Sequence, residues 1–134
     1  MQDCFQMNMT REQLGALSSL ALAHVGDAVY ELLVRASLCA SGVPRADALH
    51  QKTVSYVSAP GQASAAERIA PLLTDEETEV FRRGRNAHVR SVPKGASVGE
   101  YHAATGLEAL FGWLYLAGHH DRLTALSKAI LGGE

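Results

Sequence analysis

The chain has 134 residues, and 47% of them are hydrophobic, which favours a folded domain with its own core over a disordered segment. Its two cysteines do not form a Cys-x-x-Cys spacing, which excludes a zinc module or a disulfide scaffold and fits the reducing cytoplasm. The net charge of −2 does not by itself indicate a protein that binds polyanions.

Helix start signals recur along the chain, and the period-two alternation typical of strands is missing, so the sequence predicts an all-α fold. Three capping boxes mark helix starts, namely Thr10-x-x-Gln13, Thr74-x-x-Glu77 and Ser97-x-x-Glu100. The last two should open helices that end near Gly84 and Gly118. The other predicted helices run from about Ser19 to Cys39, Pro44 to Val54, Pro60 to Ile69 and Asp121 to Leu131. We expect one domain over residues 1–134, with its core at about 14–131.

Asp27 lies in an apolar run, and a carboxylate in such surroundings needs a cation or a metal ion as partner. The preceding Gly26 weakens a helix by about 1 kcal/mol relative to Ala, which favours close approach of another backbone or a ligand. Asp27, Glu31 and Arg35 share one helix face, and a solvated Glu31–Arg35 pair is the simpler interpretation of the last two. These charges also favour a buried amphipathic helix over a membrane span.

Glu108 is the only charged residue between Ala103 and Gly118. Two isolated carboxylates on two apolar helices could meet around one hard cation such as Mg²⁺, which prefers oxygen ligands. The residues that share the helix face of Glu108 are Tyr101, Thr105 and Gly112. This face is a candidate part of a metal site, and the alternative is that Glu108 lies at the polar edge of a core helix.

Five basic residues and no acidic residue lie between Val80 and Gly99, whereas the remaining chain holds 14 acidic residues. A concentrated basic segment on an acidic body predicts a local contact with a polyanion. The candidate phosphate-binding residues are Arg83, Arg85, Arg90 and Lys94, with Asn86 fixing the turn. The alternative is that the helix dipole favours cations at this helix C-terminus.

Two segments together are similar to a known family. The helix around Val25-Gly-Asp27 resembles the signature helix of ribonuclease III catalytic domains, which is centred on Leu-Gly-Asp. Thr105–Leu116 resembles the second metal-ligand helix of that family. The chain length, the absence of a double-stranded-RNA-binding domain and the segment Arg83-Gly-Arg-Asn-Ala87 indicate the Mini-III branch. The resemblance covers about residues 14–131.

The resemblance implies an all-helical homodimer that cuts double-stranded RNA with Mg²⁺, for which Mn²⁺ can substitute. In this branch it implies maturation of the large-subunit (23S) ribosomal RNA precursor, with a ribosomal protein as a candidate accessory. Asp27 matches the catalytic aspartate of the family, and Glu108 matches its metal-binding glutamate. Ala23 and Thr105 replace two further family carboxylates, which implies a leaner metal site.

Two rival interpretations remain open at this point. A non-catalytic helical RNA-binding or ribosome-assembly module would use the basic segment but need neither Asp27 nor Glu108. A metal phosphohydrolase would use His120 and Asp121, but the other histidines show no supporting spacing. Asp121 is therefore predicted to cap the last helix.

Overall fold

The structure is a computed structural model, and it describes residues 3–43, 45–87, 94 and 96–132. Within these residues the regular structure is helical, which confirms the predicted all-α fold. The helices are α1 (Arg11–Gly15), α2 (Ser19–Ala40), α3 (Ala46–Val57), α4 (Ala59–Ile69), α5 (Asp75–Arg85), α6 (Val98–Leu116) and α7 (His120–Leu131), with a 3₁₀ turn at Ala70–Leu72. None of the helices in the described ranges is long and apolar enough to cross a membrane.

The three predicted capping boxes are confirmed. The side chains of Thr10, Thr74 and Ser97 each accept a hydrogen bond from the backbone N–H three residues ahead. In each case the Gln or Glu at that position accepts a bond from the backbone of the capping residue. These reciprocal bonds satisfy donors that a helix start would otherwise leave free, so α1, α5 and α6 begin where predicted.

Two helix starts differ slightly from the prediction. α4 begins at Ala59, because the Ser58 side chain accepts the bond that caps this helix and Pro60 lies inside its first turn. α3 begins at Ala46, and Pro44, the predicted start, lies outside the described residues.

The prediction that Asp121 caps the last helix is wrong. The N-cap of α7 is His119, whose side chain makes no capping hydrogen bond. Asp121 lies in the first turn of α7, where a negative charge suits the positive end of the helix dipole.

α6 is the central helix and packs against α2, α4, α5 and α7. Its completely buried large side chains are Leu107, Leu110, Phe111 and Leu114. The ring of Phe111 meets the edge of the Tyr30 ring at a centroid distance of 5.3 Å, and the Tyr30 hydroxyl donates to the Tyr56 carbonyl at 3.0 Å. A helix that is apolar on nearly all sides has to be covered by its neighbours, which explains this arrangement.

Two glycines let the backbones of α2 and α6 touch. A Cβ atom at Gly26 would overlap the Glu108 carbonyl and lie 2.7 Å from the backbone nitrogen of Gly112. A Cβ atom at Gly112 would likewise lie 2.9 Å from the backbone nitrogen of Gly26. The close backbone approach expected at Gly26 is therefore present, and any side chain at either position would push the two helices apart.

α5, which carries part of the basic segment, is fixed at both ends. Near its end, Gly84 packs so closely on α6 that an added Cβ would lie 3.0 Å from the Cα of Gly106. At its start, the buried Glu77 accepts a 2.7 Å hydrogen bond from Arg122 of α7. Burial acts to raise the pKa of Glu77, but hydrogen bonds from Arg122 and Thr74 hold it below its ordinary value.

Candidate active site

The contact between α2 and α6 brings two carboxylates together. Asp27 directly follows Gly26 in α2, and the Glu108 carbonyl of α6 is the group that Gly26 touches. The Asp27 side chain is exposed to solvent, whereas Glu108 is half-buried. The two residues that the sequence singled out separately thus form one cluster, and the glycine contact determines how closely they approach.

Burial raises the pKa of Glu108 to about 7, and the negative charge of Asp27 adds to the rise. A hydrogen bond from the Gln62 amide acts to lower the pKa of Glu108, whereas a hydrogen bond shared with Asp27 acts to raise it. Two carboxylates in this position repel each other when both are ionised. A bound cation would stabilise both negative charges, so the electrostatics of the site favour a positive ligand.

Gln62 of α4 belongs to this site, although the sequence did not predict it. Its side chain is 2% exposed, and its Nε2 donates to Oε2 of Glu108 at 3.4 Å. The sequence pattern of α4 could have indicated that Gln62 is buried, because it lies on the same helix stripe as Ala65, Ala66 and Ile69. A buried polar side chain in such a stripe is expected to have a polar partner.

A cavity of about 300 Å³ adjoins Glu108 between α4 and α6. Its polar lining includes Ser58, Gln62, Lys94, Tyr101, Thr105 and Glu108. Tyr101, Thr105 and Glu108 thus line one cavity, as their shared helix face predicts, whereas Gly112 packs against the backbone of α2. The Thr105 hydroxyl donates to the Tyr101 carbonyl at 3.1 Å, so its proton is already used within the helix.

The donor set of the site fits a hard divalent cation. Among the residues that the structure describes, no group of three or more His, Cys, Asp or Glu side chains could hold a metal ion, so the pair would bind with few protein ligands. One or two carboxylates completed by water are an ordinary ligand set for Mg²⁺. Asp27 and Glu108 could hold such an ion, and the buried Oε1 of Gln62, which has no donor among the described residues, adds a polar acceptor nearby.

Two other clusters have simpler roles. Arg35 and Glu31 form an ion pair at 2.7 Å with side chains that are 62% and 39% exposed, which confirms the solvated pairing. His120 and Asp121 lie at a separate cavity beside Arg122. Because no three-ligand group exists in the described part of the chain, the phosphohydrolase alternative finds no ligand set there.

Of the predicted phosphate-binding residues, the structure describes Arg83, Arg85, Asn86 and Lys94, whereas Arg90 lies outside the described residues. The Arg83 Nε donates to Glu79 at 3.0 Å on the surface of α5. Arg85 and Asn86 end this helix, with the Arg85 Nε 3.5 Å from the Asn86 Oδ1. Lys94 is exposed and lines the cavity beside Glu108. The structure therefore places Lys94 and Glu108 along one cavity and pairs Arg83 with an acidic neighbour.

Comparison with known proteins identifies the family of this chain. The model of the Ribonuclease III domain family matches residues 20–119. The chain belongs to the ribonuclease III family. The Mini-ribonuclease 3 of Thermoanaerobacter sp. is 47% identical over 115 residues, which cover 86% of this chain and 81% of that protein. The Mini-ribonuclease 3 of Symbiobacterium thermophilum is 46% identical over 113 residues, which cover 84% and 87% of the two chains.

A crystal structure of a Fusobacterium nucleatum protein has the same fold. It matches with a TM-score of 0.79 and 28% sequence identity, over 88% of this chain and 94% of that one. The resemblance to ribonuclease III domains is thereby confirmed, and so is the predicted enzyme class, a ribonuclease III endoribonuclease for double-stranded RNA. Ribonuclease III enzymes are metal-dependent, which agrees with the carboxylate pair at the α2–α6 contact.

Glu108→Gln is expected to stabilise the metal-free protein at alkaline pH. The pKa of Glu108 in the folded protein, about 7, lies above its ordinary value of 4.5. Between these values the folded state binds more protons than the unfolded state, so the free energy of unfolding falls as pH rises through this window. The variant lacks this loss, so its Tm in EDTA should exceed that of the wild type by several degrees at pH 8 and match it near pH 4.5.

Thermal unfolding of both proteins across this pH range measures the difference. Glu67→Gln, which removes an exposed carboxylate from α4, is the matched control and should follow the wild type at every pH. If the Tm of the wild type and of Glu108→Gln changed with pH in the same way, the pKa of Glu108 would not be raised in the folded protein.

Proposed function

We propose that this ribonuclease III protein cuts double-stranded RNA with a Mg²⁺ ion held by Asp27 and Glu108, and that Mn²⁺ can substitute. The observation that carries the proposal is the meeting of these two carboxylates beside a cavity that Lys94 also lines. We further propose that the natural substrate is the precursor of the large-subunit (23S) ribosomal RNA, processed in the cytoplasm, with a ribosomal protein as accessory.

In this proposal, Asp27 and Glu108 bind the cation, and Lys94 binds the RNA. A bound Mg²⁺ ion would lower the pKa of a water molecule and offset negative charge on the phosphate. Asp27 offers an exposed carboxylate, and Glu108 offers a second, half-buried one that accepts a hydrogen bond from Gln62. Lys94 at the cavity would contact an RNA phosphate, which positions the backbone without reading the base sequence.

We propose that the active form is a homodimer. The two antiparallel strands of an RNA duplex are related by local twofold symmetry, so a twofold dimer presents one site to each strand. α2, the helix of Asp27, also exposes the apolar side chains of Leu20 (44%) and Leu32 (65%). A second copy of the chain that covered either side chain would remove apolar area from water, which favours association.

The double variant Arg85→Gln/Lys94→Gln is expected to bind duplex RNA more weakly and with a flatter salt dependence. Each cation in contact with a phosphate contributes roughly 0.9 to the slope of log affinity against log salt, so the loss of two should lower the slope by about 2. Filter binding in EDTA at several salt concentrations measures this slope without cleavage. As a control, Lys52→Gln/Lys128→Gln removes two exposed cations from α3 and α7. Equal slopes in the two double variants would indicate that the basic segment does not contact the RNA and only places cations at a helix C-terminus.

The natural substrate is tested with three RNAs and one purified protein. A 23S precursor stem should be cut at fixed positions on both strands, a generic duplex more weakly, and a single strand not at all. Equal cutting of the stem and the generic duplex would argue against the ribosomal assignment. Tight binding without cutting, in Mg²⁺ and in Mn²⁺, would favour the non-catalytic RNA-binding module.

The proposed homodimer is tested by sedimentation of the same sample, which should give the mass of two chains. A monomer that cleaves RNA would contradict the dimer.

A further inference from the structure

The amide of Gln62 is buried against the carboxylate pair with one of its ends unpaired. Its Nε2 donates to Glu108, whereas its Oε1 is buried and has no donor among the described residues. A buried amide oxygen without a donor is unfavourable, so a stabilising role is expected for the other end of the amide. Gln62 also lines the cavity of about 300 Å³ beside Glu108.

The backbone around Gln62 is rigidly held. Its N–H donates to the Ser58 carbonyl at 2.8 Å, and Ser58 in turn caps α4. Gly61 packs so closely on α3 that an added Cβ would lie 2.9 Å from the carbonyl carbon of Ser55. These contacts set the position of the Gln62 backbone, and its amide extends from there toward Glu108.

The orientation of the amide follows from charge. An ionised carboxylate only accepts hydrogen bonds, so the NH₂ end must face Glu108 and the oxygen end must face away from it. Glutamine supplies this donor without adding a third negative charge to a pair that already repels itself. A glutamate in its place would be acceptor-only when ionised and could not hold Glu108.

We infer that Gln62 is a positioning residue of the metal site: its Nε2 holds Glu108 toward the cation, and its Oε1 is left without a donor among the described residues as a consequence. This inference rests on the proposed function, because it takes Asp27 and Glu108 as the residues that bind the cation. Partners that orient metal ligands typically change metal affinity by about 10–100-fold when they are removed.

The inference is tested by Mn²⁺ binding to the whole protein in the absence of RNA, measured by electron paramagnetic resonance. Gln62→Met keeps the length of the side chain but removes both polar ends, and its Mn²⁺ affinity should fall about tenfold or more. Gln51→Met makes the same chemical change on the exposed face of α3 and should bind as the wild type does. If Gln62→Met does not fold, Gln62→Asn, one methylene shorter, should show the same loss.

A thermodynamic cycle with Glu108→Gln shows whether Gln62 acts through Glu108. In the Glu108→Gln background, Gln62→Met should change Mn²⁺ affinity by less than about twofold, because the group it orients is already gone. Wild-type affinity in Gln62→Met, or an equal loss in both backgrounds, would overturn the inference. Failure of the proposed function has a different signature, namely normal Mn²⁺ binding that depends on Asp27 and Gln62 in a protein that does not cut RNA.

Discussion

Asp27→Asn is expected to slow the cleavage of duplex RNA by about a thousandfold or more while the protein stays folded. The variant keeps the shape of the side chain but loses the charge that, with Glu108, would hold the cation. Three powers of ten correspond to about 4 kcal/mol of transition-state stabilisation, the order expected for loss of a catalytic metal. Single-turnover cleavage of a saturating duplex in Mg²⁺ measures the rate without the complication of product release.

Glu31→Gln is the matched control for this experiment. Glu31 lies one turn further along α2, and its partner Arg35 is largely exposed, so its loss should change the rate by less than about threefold. In EDTA, Asp27→Asn should be at least as stable as the wild type, because it removes a like charge beside Glu108. Cleavage by Asp27→Asn at the normal rate would show that the carboxylate pair is not the catalytic site.

Gly26→Ala is expected to destabilise the fold by about 3 kcal/mol or more. The added methyl group would meet backbone atoms of Glu108 and Gly112, which cannot move aside as the end of a flexible side chain can. Relief requires α2 and α6 to separate, and with them Asp27 and Glu108. Urea unfolding measures the loss of stability, and any folded fraction should have lost most of its cleavage activity.

Gly99→Ala provides the control, since it makes the same substitution near the start of α6. An added Cβ at Gly99 would have no atom within 4 Å, so the change should stabilise the helix by up to about 1 kcal/mol. A Gly26→Ala protein as stable as the wild type would mean that the two helices can separate at no cost, and the glycine contact would then not explain the site.

The carboxylate pair could be predicted from the sequence because each member is isolated on an apolar helix. The helix starts were predictable wherever a reciprocal capping pattern marked them, as at Thr74 and Ser97. The cap of α7 could not be predicted, because an aspartate near a helix start can either cap the helix or lie in its first turn. Asp121 lies in the first turn.

Gln62 could not be assigned from the sequence because its role depends on which helix packs against α4. Its place in a buried stripe indicated that it has a polar partner, but only the tertiary contact with α6 identifies Glu108. The residues of the basic segment also differ in their surroundings in a way that the sequence does not reveal, because these depend on tertiary contacts. Arg82 and Arg83 hold the pKa of Glu79 down at about 2 by local pairing, whereas Lys94 lines the cavity beside Glu108.

The central claim is that one metal-dependent site at the α2–α6 contact cuts the RNA. The most direct measurement is the initial rate of duplex cleavage by the metal-stripped wild-type protein as Mg²⁺ is added, beside an EDTA control. The account predicts no cleavage in EDTA and a rate that rises with Mg²⁺ until it saturates. Cleavage in EDTA at the rate seen in Mg²⁺ would contradict it.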